Sequence, residues 1–180
     1  MDILHRIHAR KVVLGAIYQY YFFLRLAAQH GVVQDSLALA HTFTESEDFG
    51  VEKEQLVASF ASMQAESMDD DYIAYVLQYV YESWGDSVDY PYMERMLQKI
   101  SSYTPTIEKL VNTYVTSFSF DHMDPMDKAL FTLGCVEYKE FETPKEVLLN
   151  ELVELAKRYA DPGSSKLING IMHKILTAIV

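Results

Sequence analysis

Apolar residues recur along this chain at helical spacing. Near the start, Leu14, Ile17, Tyr21 and Leu24 fall three and four apart, which is one face of an amphipathic helix. Val76, Leu77, Val80 and Tyr81 keep the same rhythm, so the tyrosine-rich stretch 72–81 reads as helix despite its β-prone composition. The last two patterns are the firmest. Val147, Leu148, Leu152, Leu155 and Tyr159 form one stripe, and Leu167, Ile168, Ile171, Met172, Ile175, Leu176 and Ile179 cover about half of a deeply packed helix. Gly170 lies inside that last helix at a cost of about 1 kcal/mol relative to alanine. This predicts that another helix or a partner's backbone approaches it closely. No alternating run bounded by hairpin turns is present, so the predicted fold class is all-α.

The prolines sharpen the helix starts. Thr104-Pro105, Asp124-Pro125 and Thr143-Pro144 each read as an N-cap followed by proline at the first helical position, where the missing N–H costs nothing. Thr143 to Glu146 has the residues of a capping box. Pro91 marks another start, ahead of Met93, Met96, Leu97 and Ile100. The predicted helices are 4–29, 33–42, 51–65, 70–84, 90–102, 105–118, 125–141, 144–160 and 164–179, with weak points at 42–50 and 84–89. The chain has 180 residues, long enough to bury a core without disulfides or a structural metal. No internal repeat or low-complexity linker divides it.

Charge changes the picture only when divided by region. The whole chain carries −11, which taken alone repels nucleic acid. Residues 1–30 hold Arg6, Arg10, Lys11 and Arg25 against Asp2, a net +3. Residues 31–94 hold Lys53 alone against fourteen acids, a net −13, and residues 95–180 are nearly neutral at −1. The acidity restricts where a nucleic acid could lie without forbidding one.

Few residues invite enzyme chemistry. The one cysteine, Cys135, sits in an apolar stretch with no histidine at a useful spacing, and reads as a buried structural thiol in a reducing, cytoplasmic setting. Asp121, His122, Asp124 and Asp127 admit a metal-dependent hydrolase, but they span a helix start and read first as solvated caps, so no metal site is assigned. No glycine-rich phosphate loop appears and no cofactor is expected. Basic residues ahead of the apolar run 12–24 have the outline of a signal peptide. Gln19, the tyrosines and Arg25 argue instead for an amphipathic first helix, and the apolar run itself is too short and too polar to span a membrane.

Two segments near the C-terminus carry a resemblance. Residues 150–159, NELVELAKRY, are followed by residues 165–175, SKLINGIMHKI, and this tandem resembles the paired C-terminal helices of the NusB family of transcription antitermination factors. Asp127-Lys128-Ala129-Leu130 through Glu137 is similar to that family's central helix, and Ala9-Arg10 with Ala16-Ile17-Tyr18-Gln19 to its first helix. Residues 31–90 resemble it hardly at all. The resemblance implies one NusB-like domain over 1–180, a helical bundle of two small subdomains, about 1–104 and about 105–180. It also implies a role without catalysis: pairing with the ribosomal protein NusE on single-stranded boxA-type RNA of ribosomal transcripts, and through that assembly reaching the RNA polymerase elongation complex. A homodimer stays open beside a monomer.

The residues expected to touch RNA are Arg6, Arg10 and Lys11 as cations with His8 beside them, Tyr18 as a stacking platform, and Lys166 at the start of the last helix. Asp124 and Asp127 are expected to face a basic protein partner. The family's arginine cluster is thinned here: Ile7 and His8 stand where arginines are usual, Gly15 replaces a glutamine and Thr132 an arginine. Fewer phosphate contacts mean weaker, less salt-dependent binding. The alternative reading is therefore a NusB-fold scaffold for protein interaction with RNA binding lost or weakened.

Overall fold

The computed structural model describes residues 3–30 and 70–179. The helices expected at 33–42 and 51–65, and the weak point at 42–50, lie outside the described residues. Within them the chain forms α1 (Ile3–His30), α2 (Asp70–Trp84), a 3-10 turn (Gly85–Ser87), α3 (Tyr90–Tyr114), a second 3-10 turn (Phe120–His122), α4 (Pro125–Phe141), α5 (Lys145–Tyr159) and α6 (Ser164–Ala178). The fold is all-α, as the periodicity predicts.

The centre of the bundle is α4. Every residue from Ala129 to Glu137 is buried, because α1, α3, α5 and α6 all pack against this one helix. Gly134 permits the tightest approach. A Cβ there would lie 2.5 Å from Met172 Cε and 2.6 Å from Leu152 Cδ1, whereas nothing comes within 4 Å of a Cβ placed at Gly170. The close helix contact expected at Gly170 is therefore made at Gly134, on the central helix.

Three sequence expectations are corrected. The helices expected at 90–102 and 105–118 are one helix, α3, with Pro105 inside it. Ile100, Ile107 and Val111 are all buried, so one core face runs past the proline, whose ring lies exposed on the outer side. Thr104 does not cap a new helix; its hydroxyl donates to the Ile100 carbonyl at 2.8 Å. The expected subdomain boundary near 104 thus falls inside a continuous helix. The cap of α5 is also different. Pro144 takes the N-cap position without a side-chain bond, and the Thr143 hydroxyl donates instead to Glu137 Oε1 at 3.0 Å. The stripe of α5 is rotated from the expected one: Leu148, Leu149, Leu152, Leu155 and Ala156 are buried, while Val147 and Tyr159 are 49% and 43% exposed.

The other patterns hold more closely. Asp124 caps α4, accepting from Met126 N at 2.8 Å, with Pro125 next. Asp89 caps α3 by accepting from Tyr92 N at 3.2 Å, with Pro91 in the first turn. On α6, Ile168, Met172, Ile175 and Leu176 are buried and Leu167, Ile171 and Ile179 pack at their edges. On α1, Leu14, Ile17 and Tyr21 are buried and the seam continues through Ala9, Val13 and Ala16, but Leu24 is exposed.

Candidate nucleic-acid interface

The first helix carries most of the expected RNA contacts, and the bundle turns them in different directions. Arg6 points inward. Its Nε donates to Asp89 Oδ2 at 2.9 Å, and its guanidinium lies 4.2 Å from the Tyr92 ring centre and 5.0 Å from that of Phe141. Asp89 is the cap of α3, so one carboxylate ties the start of α3 to α1.

Arg10, one turn on, is buried. Its Nε donates to both oxygens of Glu137 at 3.1 and 2.9 Å, one Nη donates to Glu137 Oε1 at 2.8 Å, and the other to Glu151 Oε2 at 3.2 Å. Glu137 is fully buried and also accepts from the Tyr92 hydroxyl at 2.7 Å. With Thr143 already bonded to it, Glu137 joins α1, α3, α4 and the approach to α5. Burial by itself lowers the pKa of Arg10, but the hydrogen bond and charge of Glu137 outweigh it and hold the pKa above its ordinary value. Burial, then the charge and hydrogen bond of Glu137, push the Tyr92 hydroxyl well up. Arg10 is thus held inside the bundle as a strut, only 7% exposed, with its guanidinium engaged by Glu137 and Glu151. Glu137 and Tyr92 escaped the sequence reading. The signal was a lone carboxylate continuing the apolar run 129–136.

His8 turns the other way. Its Nδ1 is 3.2 Å from the Ser87 carbonyl, which requires the proton on Nδ1, and its ring is 5.4 Å from that of Trp84. Lys11 is half-buried at the edge of a cleft facing α5. Tyr18 is half-buried and stacks on Phe22, ring centres 5.7 Å apart. Lys166 is exposed in the first turn of α6. The six therefore do not form one patch on one helix face.

The acidic residues have local duties. Asp124 caps α4 and lies 3.7 Å from Arg25 in an exposed pair. Asp127 is half-buried, with Oδ1 shut off from solvent and without a hydrogen-bond partner. Burial raises its pKa, and Asp124 and Asp161 add to this against a bond from Ser164. His122 Nδ1 is 2.8 Å from Ser119 Oγ, and the Asp121 carbonyl accepts from Lys128. Among the described residues no three His, Cys, Asp or Glu side chains come close enough to share a metal ion, which removes the geometric basis of the hydrolase reading. Burial pushes the Cys135 thiol up to about 12, so it is protonated at neutral pH. No helix among the described residues is long and apolar enough to cross a membrane.

With this arrangement in view, the sequence profile of the NusB family matches residues 52–177. The chain belongs to the NusB family. The transcription antitermination protein NusB of Methylacidiphilum infernorum is 37% identical over 93 residues, covering 51% of this chain and 64% of that protein, a little under two thirds of its length. That of Haemophilus influenzae strain Rd is 31% identical over 104 residues, 57% of this chain and 72% of that protein. In three dimensions the solved T. maritima NusB aligns with 96% of this chain and 90% of its own, at a TM-score of 0.54 and 22% identity, which supports the shared fold. One departure of this NusB chain from the family pattern now has a local reason. Thr132, where the resemblance leads one to expect an arginine, is fully buried, and its hydroxyl is 2.9 Å from the Tyr21 hydroxyl.

Proposed function

We propose that this chain is a non-catalytic, cytoplasmic antitermination factor that pairs with the ribosomal protein NusE on boxA-type single-stranded RNA to support ribosomal RNA transcription, acting on the polymerase through that assembly. Membership of the NusB family across 52–177 carries the reading. Lys11 and Lys166, half-buried and exposed, are the lysines of the expected set, with half-buried His8 on α1; Tyr18 is the stacking candidate, and Asp124 and Asp127 are the carboxylates for the basic partner. The test is a binding titration of labelled boxA-type RNA with and without purified NusE at low salt. Tighter binding in the presence of NusE is the expected result. Folded protein that neither co-purifies with NusE nor gains RNA affinity from it overturns the reading.

A second reading is a NusB-fold scaffold with weakened RNA binding. It is favoured by one observation: Arg6 and Arg10, the two arginines of the thinned cluster, are both engaged by buried or half-buried carboxylates of the same chain. NusE binding that persists while RNA adds nothing to the complex selects it.

A further inference from the structure

With Arg6 and Arg10 held by Asp89 and Glu137, the surface cations near α1 lie elsewhere. Between α1 and α5 runs a cleft of about 380 Å³. Lys11 lines it from α1, Lys157 and Arg158 line it from the last turn of α5, and Arg10 closes its floor. Two carboxylates share the cleft, and both are engaged: Glu151 accepts from Arg10 at 3.2 Å and Glu154 from Lys157 at 2.6 Å. Among the described residues Lys11 and Arg158 have no carboxylate within 4.0 Å, so the rim keeps a surplus of positive charge in a chain of net −11. Lys157 and Arg158 also offset the partial negative charge of the α5 C-terminus. That role accounts for them but not for Lys11 across the cleft. Ile7 and Leu155 supply apolar wall between the cations. Beside the rim, the Arg158 guanidinium lies 5.4 Å from the centre of the Tyr159 ring, which is 43% exposed although the sequence pattern assigned it to the core.

We propose that this α1–α5 cleft is the phosphate track for single-stranded RNA, with Lys11, Lys157 and Arg158 meeting the backbone and Tyr159 offering a face for a base. Single strands are held by this combination, cations that follow phosphates and aromatic rings that stack bases without regard to sequence. The proposal rests on the RNA-binding reading above and relocates its contacts: two of its cations and its aromatic ring come from α5, which the expected set did not include.

The test measures binding of a labelled 12-nucleotide boxA-type RNA by fluorescence anisotropy at several salt concentrations, with melting curves confirming that each variant is folded. The double variant Lys11→Gln/Arg158→Gln is expected to bind at least about tenfold more weakly, with the slope of log K against log salt reduced by roughly 1.4, about 0.7 per lost contact. Tyr159→Ala is expected to weaken binding by about five- to a hundredfold with the slope unchanged. Lys109→Gln, on the exposed side of α3, leaves both quantities as they were. Wild-type affinity and slope in the double variant overturn the proposal. If the parent chain binds no RNA, the RNA reading fails, and an amide-shift titration with tripolyphosphate then reads the cleft alone. Shifts at residues 11 and 157–159 that vanish in the double variant sustain an anion track there, and their absence in the parent overturns it.

Discussion

At the scale of single residues, Arg10 and Glu137 are the most consequential pair. A buried carboxylate left without its guanidinium is costly, about 3–5 kcal/mol, while replacing both charges by apolar groups of similar size is far milder. Arg10→Met alone is therefore expected to destabilise by about that amount in urea melts, and Arg10→Met/Glu137→Leu to recover much of the loss. Recovery of RNA affinity in the double variant marks Arg10 as a strut; affinity that stays low despite recovered stability marks it as a phosphate contact. Asp127 gives a prediction of opposite sign. Its folded pKa is raised by burial, so the protonated form suits the folded state, and ionisation withdraws stability as pH rises through that folded pKa. Asp127→Asn is expected to melt at or above the parent's temperature near pH 7. The advantage fades as pH falls below the ordinary carboxylate pKa, where the parent's carboxyl is protonated in both states. A variant that melts lower than the parent at pH 7 and catches up in acid contradicts this. Neither role was legible beforehand. Sequence places Arg10 on a face of α1, but only the position of α4 decides whether that face meets water or Glu137.

At the scale of elements, α4 and α3 make separate predictions. Gly134 sits where Met172 and Leu152 from two other helices converge. Alanine there gains helix propensity while displacing only side-chain ends, so Gly134→Val is the sharper probe. Its branched side chain is expected to cost about 2–3 kcal/mol by overpacking, read as a lower midpoint in urea. For α3, the core face continues on both sides of an exposed Pro105. Pro105→Ala restores a backbone donor inside a helix, partly offset by a freer unfolded chain, and is expected to stabilise by about 1–2 kcal/mol. A proline that separated two helices would give no such gain. The Thr-Pro pair misled because the same two residues suit a helix start and an exposed position inside a continuous helix. What decides is whether Ile100 and Ile107 must share one core, which is a tertiary fact.

For the whole molecule, charge and packing set the stage for partner binding. Residues 1–30 and 95–180 carry +3 and −1, while 31–94 carries −13, although from residue 52 onward that segment lies within the match to the family profile and so resembles the family more than its sequence suggested. RNA affinity is therefore expected to fall only moderately with salt, with a slope of log K against log salt of roughly −2, about 0.7 for each of the three cations of the cleft. Much of this was determined by sequence alone. Helical periodicity fixed the fold class, because a 3.6-residue apolar repeat can bury its face only as a helix. The caps at Asp89 and Asp124 followed from local chemistry, and the tandem at 150–175 identified the family. Only the tertiary structure decided which cations remain at the surface, which glycine admits a neighbour and which tyrosine of α5 is exposed. Those outcomes depend on the rotation of each helix and on what stands opposite it. A few tens of degrees of rotation leave the periodicity intact, yet they separate a buried Leu149 from an exposed Tyr159 and an internal Arg10 from a Lys11 at the rim of a cleft.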